Sequence, residues 1–196
     1  LRLIRELLIT LAIAIIIYLS LQLTIKSFKV FNISMLPTIQ PGDHIIANKL
    51  SYTLGTPQRG DIIIFYSPRH NEDLIKRIIA APGDRVEIKN GKVYVNGIML
   101  YEPYILEPPR YTVFERTIPD NSYFVLGDDR NNSDDSHNGW TISSDSIIGK
   151  AWLLYWPPDR WRVVQHNSSY PAKASLESEQ SAEIFNQPAI RIADAK

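Results

Sequence analysis

Three stretches of this sequence carry side chains that could do chemistry. In the first, Asn32-Ile33-Ser34-Met35-Leu36-Pro37-Thr38, a serine hydroxyl stands just before an X-Pro step. Pro37 restricts Leu36 to extended backbone, which would fix the chain after Ser34 and present its hydroxyl rigidly. A serine in such a place is more often an ordinary surface turn residue. In the second stretch, Leu74 to Asp84, strand alternation puts Leu74, Lys76, Ile78 and Ala80 on one face and Ile75, Arg77 and Ile79 on the other. Lys76 then shares an apolar face. Burial there disfavours the ammonium form, so a neutral amine could take a proton from a hydroxyl. Serine with neutral lysine is a recognised alternative to serine with histidine, because the nucleophile needs a nearby base rather than an imidazole. The same pattern also fits a lysine that snorkels out of a half-buried edge strand.

The third stretch, Gly127 to Gly139, is dense in Asp, Asn and Ser directly after an apolar run. As a calcium loop, Asp134, Ser136, Asn138, Gly139 and Asp145 fall on positions of the EF-hand pattern, although Asp145 is shorter than the usual glutamate and the flanks read as strands. As a loop beside an active site, its hydroxyls and carboxylates would orient the lysine. As a solvated polar loop it would do neither.

Composition removes other chemistries. The chain has 196 residues with 21 Lys+Arg against 21 Asp+Glu, so there is no basic excess for binding nucleic acid. The absence of cysteine excludes disulfides, a thiol nucleophile and thiolate metal sites, and leaves the redox compartment open. His44, His70, His137 and His166 are scattered, with no pair at the spacing that puts two imidazoles on one helical face, which argues against a zinc hydrolase.

The elements that must position these residues begin with an anchor. Leu7 to Ile25 is a run of nineteen residues without a charge, apolar all round. As a helix it would reach about 28 Å, the thickness of a hydrocarbon core. Ser27-Phe28-Lys29 lacks the small residues of a signal-peptide cleavage site, so the run reads as a retained anchor over residues 1–28. Arg2 and Arg5 on one flank balance Lys26 and Lys29 on the other, so the positive-inside rule gives no orientation. The sequence begins at Leu1 rather than Met, and residues before it would bear on that count.

Residues 29–162 read as one mainly antiparallel β domain. Strands are expected over Asp43–Lys49, Asp61–Tyr66, Leu74–Ala80, Tyr111–Thr117, Ser122–Leu126 and Ile147–Trp156. Between Arg85 and Ile98, Asn90-Gly91 and Asn96-Gly97 mark two tight hairpin turns of a β-meander. Residues 163–196 shift to polar composition and read as a mobile tail.

In this order the three stretches resemble bacterial type I signal peptidases, membrane-anchored serine proteases that remove signal peptides from exported proteins. Ser34, Met35, Pro37 and Thr38 match the family pattern Ser-Met-x-Pro-Thr; Arg59-Gly60-Asp61 followed by Ile62 to Phe65 matches a second motif. Lys76-Arg77 with Pro82-Gly83-Asp84 matches a third, and Gly127, Asp128, Arg130, Ser133, Asp135 and Ser136 match a fourth. The resemblance runs from the anchor to about Trp161. Asp129 stands where the family pattern has Asn, His137 where many members have Arg, and Gly139-Trp140 reverses the expected Trp-Gly order.

The resemblance implies a signal-peptidase-like β domain with Ser34 as nucleophile, Lys76 as general base and Ser133 as the residue orienting the lysine. Asp135 would support the loop, pairing with His137 when that imidazole is protonated. Some members place a serine donor two residues before the nucleophile; here that position is Asn32, whose amide with the Ser34 backbone N–H would form the oxyanion hole. No metal or cofactor is needed. Expected partners are signal-peptide-bearing preproteins, cut after an Ala-x-Ala type sequence, and membrane lipid. The catalytic domain is expected on the extracytoplasmic face of the cell membrane. The competing reading is a membrane-tethered calcium-binding or scaffold module using residues 127–145.

Overall fold

The computed structural model describes residues 2–53 and 55–166; most of the stretch read as a tail lies outside the described residues. The uncharged run forms a single helix, α1 (Arg2–Thr24), long and apolar enough to cross a bilayer. Leu3, Leu7, Ile16 and other apolar side chains along it are exposed, so the protein domain does not bury it. The helix stops at Thr24, and β1 (Ile25–Lys29) follows at once. The strand pairs with β2 (His44–Asn48), bonding Ile25 opposite Asn48 and Lys29 opposite His44. The sheet therefore takes in residues 25–28, which the sequence reading gave to the anchor.

The remaining strands are β3 (Ile62–Ser67), β4 (Glu72–Ala80), β5 (Arg85–Lys89), β6 (Lys92–Val95) and β7 (Ile98–Met99). After them come β8 (Val113–Thr117), β9 (Ser122–Leu126), β10 (Ile142–Ser143), β11 (Ile147–Trp156) and β12 (Arg162–Val163). They form two sheets, ordered β1-β2-β11-β3-β4-β9-β10 with β12 beside β11, and β7-β6-β5-β8. Every pairing among the described residues is antiparallel. In the small sheet both Asn-Gly pairs take positive φ, 52° and 72° at Asn90 and Gly91 and 54° and 80° at Asn96 and Gly97, as two-residue hairpins require.

Three apolar clusters hold the domain. Val30, Met35, Ile39, Ile45, Ile62 and Leu154 fill one; Ile63, Phe65, Leu74, Ile78 and Val125 fill the second. The third packs Val86, Ile88 and Val93 of the small sheet against Ile79, Phe124 and Leu126. β4 runs between β3 and β9 and contributes to all three, through Ile79, Ile75 and Leu74 with Ile78. Its alternation holds through Ile78. A bulge between Ile78 and Ala80 then turns Ala80 into the cluster of Ile79, away from the face of Lys76 on which the sequence reading placed it. The domain also continues past residue 162. Val164 is buried, and the Ile62 N–H donates to His166 Nδ1 at 3.0 Å. Burial lowers the His166 pKa to about 4, in keeping with a neutral imidazole that accepts this bond.

Candidate active site

Ser34 lies on a turn held from both sides. Leu36 N–H donates to the Ile33 carbonyl at 2.9 Å and Ile39 N–H to the Met35 carbonyl at 2.9 Å, so the segment around Leu36-Pro37 closes into a turn. Met35 and Ile39 are fully buried, and side chains of this size contribute roughly 1.5–3 kcal/mol each. The Asp129 N–H donates to the Ser34 carbonyl at 3.0 Å, fixing the turn to the loop after β9.

Lys76 reaches this turn from the middle of β4. Its Nζ lies 2.7 Å from Ser34 Oγ, and both residues are buried, at 3% and 6% exposure. The lysine does not snorkel. Burial pushes its pKa below the ordinary lysine value; Asp135, Asp134, Glu72 and Asp128 oppose the shift without cancelling it. A neutral amine at this distance is placed to accept the hydroxyl proton.

The loop between β9 and β10 braces the pair from behind. At Gly127 an added Cβ would lie 2.4 Å from both Ser133 Oγ and the Ser34 carbonyl, so the close approach requires glycine. Ser133 Oγ is buried there without a hydrogen-bond partner and makes no bond to Lys76, in contrast to the orienting contact the resemblance implies. Asp135 is fully buried. Its Oδ2 accepts from the Gly127 N–H at 2.9 Å, and its Oδ1 lies 2.7 Å from His137 Nδ1. Tyr111 stacks on the His137 ring at 4.1 Å. Ser136 Oγ accepts from the Val125 N–H at 3.0 Å.

The calcium arrangement is not assembled. Ser136 is buried in its bond to Val125, Asp134 accepts from Asn138 at 2.7 Å and faces His70, and strands β9 and β10 flank the loop in place of helices. No group of three His, Cys, Asp or Glu side chains among the described residues is placed to hold a metal ion.

Several residues to which the sequence reading gave no role join the site. Arg77, next to Lys76 but facing away from it, donates to Asp128 through Nε at 2.8 Å and Nη2 at 2.7 Å, and to the Gly60 carbonyl at 3.0 Å. Asp128 also accepts from Thr38 Oγ1, so one carboxylate ties the Ser34 turn, β4 and the loop together. Arg130 clamps Glu102 with two bonds, at 3.0 and 2.5 Å. His70, in the β3–β4 turn, lies beside the pair with Nε2 2.7 Å from Asp134 Oδ2. The motif residues themselves were the available signal for Thr38, Arg77, Asp128 and Arg130; nothing in the sequence marked His70.

Two clefts meet at Ser34. One, about 220 Å³, is lined by Phe28 to Asn32, Ile45, Ile64 and the Glu72 to Lys76 stretch of β4. The other, about 170 Å³, is lined by Asn32, Ser34, His70, Glu72, Lys76, Asn132 and Asp134. Asn32 is exposed and borders both.

The signal peptidase, peptidase S26 family model matches residues 2–156. A probable signal peptidase I-1 of Synechocystis sp. is 43% identical over 151 residues, covering 73% of this chain and 77% of the relative. The thylakoidal processing peptidase 1 of Arabidopsis thaliana chloroplasts is 40% identical over 138 residues, 65% of this chain and 41% of the plant protein. The crystal structure of a signal peptidase I from Enterococcus faecalis, 35% identical, superposes with a TM-score of 0.45 over 49% of this chain and 97% of that one. The match spans the helix, the Ser34 turn, β4 and the loop after β9 alike, and the chain belongs to the signal peptidase S26 family.

Proposed function

We propose that this protein is a membrane-anchored serine endopeptidase that removes signal peptides from exported preproteins through a Ser34–Lys76 dyad. The observation that carries the reading is the buried 2.7 Å contact between Lys76 Nζ and Ser34 Oγ, at a lysine whose burial favours the neutral amine. Lys76 takes the Ser34 proton as Oγ attacks the scissile carbonyl. The tetrahedral intermediate collapses with the lysine returning the proton to the leaving amine, and water activated by the same amine then hydrolyses the acyl-enzyme. Asn32 and the Ser34 N–H are the donors for the oxyanion; loss of one such donor costs roughly 10²–10³ in kcat, so Asn32→Ala is expected to fall by that factor with KM little changed. Ser133, whose unpartnered hydroxyl sits beside the Ser34 carbonyl, and Asp135 support the dyad from the loop.

The substrate lies extended along the two clefts, gripped by main-chain bonds to strand edges, with shallow pockets that read small side chains of the Ala-x-Ala type. The residues before the cut occupy the cleft bordered by Phe28 to Asn32, which follows directly from α1 and so faces the bilayer from which a signal peptide emerges. The catalytic domain works on the extracytoplasmic face of the cell membrane.

Cleavage of a synthetic preprotein segment in detergent by wild type, Ser34→Ala and Lys76→Ala, with and without a calcium chelator, tests the reading. Loss in both variants with indifference to chelation is expected. Cleavage that survives Ser34→Ala would sink the mechanism, and a folded but inactive wild type would favour the scaffold reading.

A further inference from the structure

The β3–β4 turn separates the active-site cleft from a third, of about 200 Å³, lined by Phe65, Tyr66, Arg69, Trp140, Ile142 and Ser146 among others. His70 stands 6.1 Å from the Trp140 ring between centroids, with Nδ1 2.8 Å from Ser67 Oγ and Nε2 2.7 Å from Asp134 Oδ2. The Trp140 indole N–H in turn donates to Asp134 at 3.4 Å. His70 and Asp134 line the inner cleft and their neighbour Trp140 lines the outer one. The two clefts differ in charge: Glu72 and Asp134 border the inner cleft. Arg69 is the one charged residue lining the outer cleft, exposed and without an ion pair or hydrogen bond among the described residues.

We propose that the outer cleft is a subsite for the mature segment of the substrate, beyond the cut, where Arg69 selects an acidic side chain between the apolar walls of Tyr66 and Trp140. The inference rests on the peptidase reading above. Direction follows from the fold: residues before the cut fill the cleft nearest α1, so the chain leaving Ser34 on the opposite side runs past His70 and Asp134 toward Arg69. The guanidinium, weakly hydrated and with its donors uncommitted, is suited to pair with a carboxylate there.

The test is a series of preprotein peptides, identical up to the cut, with a single Glu or Lys moved one position at a time through the segment that follows. For the full-length enzyme in detergent, the ratio of kcat/KM for the Glu peptide to that for the Lys peptide is expected to reach about fivefold at one outer position. It should fall toward one at high salt, which screens an exposed pair. Arg69→Gln should bring the ratio to near one and Arg69→Glu should invert it; each ratio is internal to one enzyme, so a general change in activity cancels. A ratio of one at every position in wild type, or a preference unchanged in both variants, overturns the proposal. A wild type that cuts no peptide of the series overturns the peptidase reading, and this one with it.

Discussion

On the proposed mechanism, Lys76 trades stability for reactivity. Its folded pKa lies below the unfolded value of about 10.4, so between the two the unfolded chain binds the extra proton. The cost to stability is therefore full below the folded pKa and fades as pH rises toward the unfolded one. Lys76→Met, which fills the site without a charge, is expected to lower kcat/KM by roughly 10⁴–10⁶-fold and to raise Tm near neutral pH by roughly 2–4 °C. Thermal melts across pH should show that gain shrinking as pH rises from the folded pKa toward the unfolded one; a gain independent of pH would mean that the lysine is not held neutral by burial. Asp135 and Asp134 limit the shift, since their charges favour the ammonium.

At the scale of elements, the site is made by two segments that meet on β4. The Ser34 turn is anchored through Met35 and Ile39, and the loop after β9 closes over it at Gly127. Gly127→Ala forces a methyl group against the Ser34 carbonyl. We expect a loss of about 1–3 kcal/mol in denaturant unfolding together with a fall in kcat larger than the stability loss explains; an unfolding midpoint and kcat equal to wild type would show the loop to be slack. How much of this was legible follows from the range of each interaction. The Asn-Gly hairpins and the β4 alternation up to Ile78 are local patterns, visible in the order of residues. The Arg77–Asp128 bond and the His70–Asp134 contact join residues far apart in sequence, brought together by the pairing of β4 with β9 and by the turn before β4. No local period announces them. The bulge that turns Ala80 aside was equally hidden, and Ser133, expected to bond Lys76, instead keeps an unpartnered hydroxyl.

For the whole molecule, the junction between helix and sheet is the decisive feature. α1 ends one residue before β1, and Lys49 N–H donates to the Thr24 carbonyl at 2.8 Å, so the sheet grows directly out of the anchor. On the proposed function, this would hold the Ser34 turn close to the bilayer, where a membrane-embedded substrate would present its cut site. Deleting residues 2–23 keeps this last bond and every strand. The truncated protein is expected to cut a soluble peptide within about threefold of wild type, but to process a vesicle-embedded preprotein on the order of 10²-fold more slowly, because enzyme and substrate no longer share a surface. Equal rates on both substrates would show that anchoring does not serve catalysis.

The measurement that reaches the central claim most directly is the titration of the Lys76 amine itself, followed by the 13Cε shift in lysine-labelled protein and assigned with Lys76→Arg. A pKa well below the ordinary lysine value, coinciding with the acid limb of the kcat/KM profile, is the predicted result. An amine that stays protonated throughout the pH range in which the enzyme cleaves would contradict the account.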